Sequence, residues 1–220
     1  MREYYPHLKH YADYWWSLFS SIIPESEWGN EELARSYLEK YWLSQAEYEK
    51  KWQPIQDQIF INQEKGLPAQ IFSEFYKLMA LRGGVVLVES SFKELQKCML
   101  SLGNEYFVII ENTYGGKLDE PPFRMKYPVN ISWRELMSGN FISAIIFEMY
   151  YHDYFIFSNS GVWGMYAANE YERPLKIIGF KPEHSYIFNK NITQSEEEWK
   201  EIKAHWLPSD YHIRTQRPHA

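Results

Sequence analysis

Apolar residues recur at helical intervals through the first 82 positions of the chain. In the first segment, roughly 1–20, the apolar side chains at i, i+3, i+7 and i+10 are Leu8, Tyr11, Trp15 and Leu18. A second stripe begins after the candidate N-cap Asn30 and contains Leu33, Tyr37, Tyr41, Tyr48 and Trp52. A third pattern follows the Gly66-Leu67-Pro68 turn and contains Ile71, Phe72, Phe75, Leu78 and Met79. These patterns predict that residues 1–82 are mainly helical.

The pattern changes at Gly83, where short apolar runs replace the helical spacing. Residues 85–88 and 106–110 predict two buried strands, and the capping box at 91–94 predicts a helix between them. A connection of this length favours a β-α-β unit with parallel strands. The glycine and proline pairs within 114–128 predict a loop, and Ser132 with Glu135 predicts the start of a short helix.

The remaining apolar runs predict further strands and a last helix. Residues 141–151 fit a strand or a continued helix, and we favour a strand. Residues 154–157 and 162–168, with a turn cluster between them, predict a hairpin, and 175–180 predicts another strand. A capping box at 195–198 begins a helix with Trp199, Ile202 and Trp206 on one face.

Together these elements predict an α+β protein. Its helical N-terminal part, 1–82, is followed by an α+β sheet domain, 83–220, with a mixed β-sheet of about five strands and flanking helices. The two parts could also form one domain, because nothing in the sequence requires separate cores.

Composition excludes several classes of function. The 220 residues carry 23 Lys+Arg and 29 Asp+Glu, a net charge of −6, which argues against nucleic acid as a ligand. The chain has no apolar run of membrane-spanning length, and its N-terminal residues MREYYPHLKH lack the apolar region of a signal peptide. A single cysteine suits a reducing compartment. We therefore predict a cytoplasmic protein that binds neither membranes nor nucleic acid.

Motifs for metal, cofactor and covalent chemistry are missing from the sequence. The seven histidines form no HxxxH or HExxH pair, the glycine clusters match no phosphate loop, and no GxSxG elbow occurs. Cys98 lies on the apolar stripe of its helix, which indicates a buried core thiol. We predict no metal, no cofactor and no catalytic residue, although these absences do not exclude an enzyme.

One polar group is an alternative candidate for acid–base chemistry. His152 and Asp153 are the only adjacent histidine–carboxylate pair, Glu148 precedes them, and His184 could join them. Neighbouring residues of a strand point to opposite faces, which argues against a His152–Asp153 dyad. A polar turn between strands is the alternative interpretation.

Aromatic residues make up 18% of the chain, which favours a binding surface as well as a core. Trp163 and Tyr166 are candidates for such a surface, although a strand would place them on opposite faces. Acidic candidates are Glu31, Glu32, Glu196, Glu197 and Glu198. These glutamates also fit the ordinary role of acidic first turns, which complement helix dipoles.

Two stretches resemble known sequences. Leu67-Pro68, the aromatic helix pattern after it, and Gly83-Gly84 resemble the opening of the SUKH superfamily, with Arg82 in place of the family's asparagine. Residues 153–179 are similar to segments of small bacterial proteins from toxin-immunity neighbourhoods. The resemblance implies a non-enzymatic α+β protein that binds and neutralises a toxin protein, and the acidic charge of the chain suits a basic toxin.

Two functions therefore remain open. The first is a protein-binding function, with an acidic and aromatic surface docking on another protein. The second is a small enzyme or small-molecule-binding domain that uses Glu148, His152 and Asp153.

Overall fold

The structure, a computed structural model, is built on one six-stranded antiparallel sheet. It describes residues 4, 6–9, 12–13, 30–61, 71–73, 75–82, 84, 86–112, 122–148, 152–168 and 175–205. The strands are β1 (Lys77–Leu81), β2 (Tyr106–Glu111), β3 (Arg124–Pro128), β4 (Tyr154–Ser158), β5 (Trp163–Ala168) and β6 (Leu175–Phe180). Their order across the sheet is β1-β6-β5-β4-β2-β3.

This topology confirms the α+β fold class and corrects the details of the predicted sheet. Every described pair of neighbouring strands is antiparallel, so the sheet is not mixed, and it has six strands where about five were predicted. The parallel β-α-β prediction for 85–110 is wrong. Among the described residues of 85–88 none is in a strand, and Val88 is the N-cap of the following helix.

Helices surround the sheet. They are α1 (Glu31–Tyr41), α2 (Gln45–Glu47), α3 (Gln53–Ile59), α4 (Glu89–Ser101), α5 (Trp133–Leu136), α6 (Phe141–Phe147), α7 (Ser185–Asn191) and α8 (Glu196–His205). A π-helical turn, Tyr48–Trp52, joins α2 to α3, and a 3₁₀ turn, Pro182–His184, precedes α7. The predicted caps at Asn30 and Ser132 are confirmed, since both side chains accept a backbone N–H in the first turn of their helix.

Both faces of the sheet are covered, which explains why its central strands read as continuous apolar runs. One core lies between the sheet and α1, α4, α6 and α7, and includes Trp163 and Met165 of β5. The second core lies on the opposite face, against α3, α8 and the segments at 60 and 71–76, and includes Tyr166. Each core draws side chains from both sides of residue 83, while the division at 82/83 itself stays a prediction.

Three predicted elements are wrong, each for a physical reason. The apolar spacing before Gly83 belongs partly to strand β1, where burial does not alternate because Met79 and Leu81 pack in one core and Ala80 in the other. Residues 124–128 form β3 and not a loop. The run after Asn140 is helix α6 and not a strand, because a helix buried on nearly all sides has no polar face to reveal its period. The predicted helix at 1–20 lies largely outside the described residues.

At each edge of the sheet, the outer strand accepts a backbone hydrogen bond from a segment outside the sheet. At the β3 edge, Trp42 forms an isolated bridge with Met125, and the N–H of Leu43 donates to the Arg124 carbonyl at 3.0 Å. At the β1 edge, the N–H of Ser195 donates to the Ala80 carbonyl at 3.0 Å. The segment between α7 and α8 thus passes the edge of β1 and connects the two faces of the sheet.

Candidate functional site

The end of the sheet where β2 finishes and β4 begins contains a buried carboxylate. Glu111 is the last residue of β2, and its Oε1 lies 3.1 Å from His152 Nδ1. Its Oε2 accepts the backbone N–H of Phe123 at 2.9 Å. Because Glu111 follows an apolar strand directly, the sheet places its charge at the boundary of the core, where His152 and Phe123 satisfy it.

A second polar group occupies the other face of the same sheet end. Tyr166 donates its hydroxyl to Asp153 Oδ2 at 2.7 Å and accepts the Asn112 side-chain amide at 2.9 Å. The backbone N–H of Asn112 also donates to the Asp153 carbonyl at 2.9 Å. All three residues are buried. This network satisfies the polar groups where β2, β4 and β5 meet, which is a structural role.

The four residues predicted for acid–base chemistry do not converge. His152 contacts Glu111 while Asp153 contacts Tyr166, so the two neighbours face opposite sides of the sheet, as the strand argument anticipates. Glu148 is exposed at the end of α6. His184 ends the 3₁₀ turn after β6, at the opposite end of the sheet. The structure therefore corrects this prediction, because general acid–base work needs groups within reach of one substrate.

The aromatic pair predicted for a binding surface lies in the core. Trp163 is fully buried, and its indole N–H donates to Asn104 Oδ1 at 3.1 Å. Tyr166 is equally buried on the opposite face. Their opposite directions are as predicted, but helices cover both faces, so neither ring is exposed and neither can form a docking surface.

The predicted glutamates occupy the first turns of two helices. Glu31 and Glu32 are exposed in α1, and Glu31 pairs with Arg35 one turn later at 2.6 Å. Glu196 and Glu197 are exposed in α8, whereas Glu198 is buried and contacts Ser195 Oγ. Four of the five glutamates are thus accessible to a partner, and all five complement their helix dipoles.

A cavity of about 470 Å³ opens at the same end of the sheet, beside the edge strand β1. We call it the Lys176 cavity. Its wall includes Lys176 of β6, the first turn and a half of α4, and the segment before α8, with lining residues Leu81, Arg82, Val88, Ser90, Ser91, Glu94, Lys176, Thr193, Gln194 and Ser195. Lys176 pairs with Leu81 across β1 and with Ala167 across β5.

Lys176 is a buried cation in the wall of this cavity. Only 2% of the residue is exposed, and within the described part of the chain its ammonium has no hydrogen bond or ion pair. Burial lowers the pKa of Lys176 from 10.5 to about 8, and the more distant Glu198 carboxylate offsets part of that effect. A titratable group shifted in this way inside a cavity is a common mark of a functional site.

Another cavity, of about 320 Å³, lies toward the opposite end of the sheet, and a lysine in its lining has an ion-pair partner. Its lining includes Glu47, Tyr106 and Lys126. Lys126 Nζ pairs with Glu47 at 2.7 Å and lies 5.4 Å from the centre of the Tyr106 ring. Lys126 is therefore already paired with a carboxylate, unlike Lys176.

Sequence reasoning missed Lys176, Glu111 and Asn112. The signal for Lys176 is a charged residue between Leu175 and Ile177, inside a strand that is otherwise apolar. The signal for Glu111 and Asn112 is that two polar residues directly follow the apolar run 106–110. Neither signal specifies a ligand, because buried charge and strand-end polarity also occur for structural reasons alone.

No protein-family model, curated protein or solved structure matches the chain. The resemblance to the SUKH superfamily thus stays a prediction. In the described residues, no helix combines the length and apolar character that crossing a membrane requires. The same residues include no group of three or more histidine, cysteine or acidic side chains arranged to hold a metal ion.

Proposed function

We propose that the protein binds a small molecule in the Lys176 cavity. The observation that carries this proposal is a buried, unpaired ammonium in the wall of an open cavity. Leaving a buried charge without a partner costs stability, so a fold that keeps one gains from a ligand that supplies the missing interaction.

The size and lining of the cavity support the same proposal. Ligand sites commonly have volumes of about 300–1,000 Å³ and combine apolar walls with a few polar groups. The Lys176 cavity has about 470 Å³, and Leu81 and Val88 are the apolar residues of a lining that is otherwise polar or charged. Leu81 and Lys176 lie on strands and Ser90, Ser91 and Glu94 on a helix, and such elements hold a site more rigidly than loops do.

A cavity-filling substitution tests this function. Val88→Trp places a large side chain in the cavity, and Val88 is 44% exposed, so the core stays intact. Leu100→Trp is the matched control, because Leu100 is 55% exposed on the same helix and does not line the cavity. A thermal-shift screen of small organic fragments should yield compounds that stabilise the wild type and L100W but not V88W. Fragments that stabilise all three proteins alike would contradict the proposal.

Protein binding is a second proposal, supported by the exposed acidic first turns of α1 and α8. Glu32, Glu196 and Glu197 are accessible, and the chain has a net charge of −6, which suits a more basic partner protein. A toxin neutralised by an immunity-type protein would be one such partner. For both proposals we place the protein in the cytoplasm, because a single cysteine suits a reducing compartment.

Charge-reversal variants distinguish binding of a partner through these two helix starts from a general effect of the net charge of the protein. The variant E32K/E196K/E197K should lose a partner that the wild type retains in a pull-down at low salt. The control E49K/E89K/E183K changes the net charge equally at other exposed glutamates and should retain it. Equal recovery of the partner by both variants would rule out docking through these two helix starts.

A further inference from the structure

The Lys176 ammonium is a source of positive potential in the wall of its cavity. With a pKa near 8, the Lys176 amine is about nine-tenths protonated at neutral pH. The Lys176 residue is buried, and its ammonium has no ion pair with any of the described residues. An anion that enters from the cavity would supply the partner that this cation lacks.

The start of α4 adds to this potential. This 13-residue helix begins at Glu89, and Val88, Ser90 and Ser91 line the cavity. The first backbone N–H groups of a helix lack acceptors within it, and the helix dipole favours negative charge there. Ser91 is engaged by its own helix, accepting the Val88 N–H at 3.1 Å, while Ser90 contributes an exposed hydroxyl. An anion next to Lys176 would thus also face the favourable end of α4.

Nearby charges limit how much negative charge the cavity accepts. Arg82 lines it as a second, exposed cation. Glu94 also lines it, and the Glu198 carboxylate is close enough to raise the Lys176 pKa. The two cations and two carboxylates balance, so the attraction for a ligand comes from the single Lys176 ammonium, and Glu94 and Glu198 would repel a dianion. The apolar walls at Leu81 and Val88 favour a ligand with a hydrophobic remainder.

We propose that the Lys176 cavity binds an organic monocarboxylate, whose carboxylate pairs with Lys176 at the start of α4 while its apolar part contacts Leu81 and Val88. This inference rests on the small-molecule function proposed above and narrows it to one ligand class.

Three probes that share a phenyl ring test the charge requirement: benzoate, its neutral isostere benzamide, and the dianion phenyl phosphate. Calorimetric titration at neutral pH should show saturable binding of benzoate, with benzamide at least about tenfold weaker. Phenyl phosphate should bind more weakly than benzoate, because of Glu94 and Glu198. Phenyl phosphate binding more tightly than benzoate would overturn the single-charge inference.

Substitutions at lysine assign the effect to one side chain. Lys176→Met should lower benzoate affinity by at least about tenfold and leave benzamide affinity unchanged. Lys97→Met is the matched control, because Lys97 is exposed on α4 and does not line the cavity, and it should change neither affinity. Equal binding of benzoate and benzamide, or no benzoate binding, would overturn the carboxylate inference. The V88W screen with neutral fragments decides the small-molecule function separately.

Discussion

Gly164 of β5 lies directly opposite Gly179 of β6, and the rings of Phe60 and Phe72 pack onto this pair. A Cβ atom at Gly164 would come within 2.6 Å of Phe60 Cζ, and one at Gly179 would meet the Phe72 ring. The two rings lie 5.2 Å apart, and their residues form an isolated β-bridge. The glycines thus provide a flat floor on which two non-adjacent segments meet.

Gly179→Ala should therefore destabilise the fold. The added methyl forces Phe72 off the sheet, and overpacking of this kind costs about 1–3 kcal/mol. Urea denaturation of the variant should show this loss in the free energy of unfolding.

A second substitution serves as the control for this mechanism. Phe72→Leu provides space above β6, so the double variant G179A/F72L should be more stable than the sum of the single effects predicts. Strict additivity would indicate that backbone preference, and not the ring contact, makes alanine unfavourable at position 179.

Lys176→Met should stabilise the protein at neutral pH. A lowering of the Lys176 pKa from 10.5 to about 8 corresponds to about 3 kcal/mol of lost stability when the amine is charged in both states. We expect an increase of about 1–3 kcal/mol in the free energy of unfolding, measured in urea at about pH 7.

The pH dependence of this difference has a defined sign. Between about pH 8 and pH 10.5 the unfolded chain binds more protons at Lys176 than the folded protein does, so wild-type stability rises with pH. The advantage of K176M should shrink over that range, and a gap that stays constant would contradict the burial of the charged amine. The other titrating side chains are common to both proteins and cancel in the comparison.

Tyr166→Phe should reveal the structural role of the polar network at the start of β4. The substitution leaves the buried Asp153 carboxylate and the Asn112 amide each without one partner, which costs about 1–3 kcal/mol. Tyr106→Phe is the matched control, since Tyr106 is 41% exposed, and its effect should stay within about 0.5 kcal/mol. Thermal unfolding of both variants measures the difference, and equal midpoints would be inconsistent with this role.

Cys98 should be inert in the folded protein. Burial raises the pKa of its thiol to about 12, and Sγ lies 3.9 Å from the Ile187 carbonyl. Since the thiolate is the reactive form, alkylation by iodoacetamide should be on the order of 1,000-fold slower than at an ordinary exposed thiol. Leu100→Cys combined with Cys98→Ala supplies that comparison on the same helix. In urea the two rates should become similar, and rapid alkylation of folded Cys98 would show that the thiol is accessible.

The sequence predicts those elements whose local signals agree with their final environment. The cap at Asn30, the hairpin of β4 and β5 and the strand β6 all combine turn or capping residues with an apolar run of the right length. Helix α6 lacks such agreement, because it is buried on nearly all sides and its sequence has no polar face. Strand β1 is only five residues long, and its pairing with β6 depends on a segment about 100 positions away.

The candidate site depends even more on tertiary structure. Lys176 becomes unusual only because β1, α4 and the residues before α8 enclose it. His152 and Asp153 are adjacent in sequence, yet the sheet directs them to different partners. Trp163 and Tyr166 are of residue types that are common at binding surfaces. Only the tertiary structure, with helices on both faces of the sheet, shows that they belong to the cores.

The contacts of Trp42, Leu43 and Ser195 with the outer strands also bear on aggregation. Exposed strand edges recruit further strands from other chains and so seed fibrous assemblies. Here a strand from another chain would have to displace the backbone hydrogen bond from Leu43 to Arg124 at one edge, or the one from Ser195 to Ala80 at the other. Each edge strand is therefore hydrogen-bonded to a residue from a distant part of the chain. Loss of either hydrogen bond would expose backbone groups that can pair with a strand of another molecule.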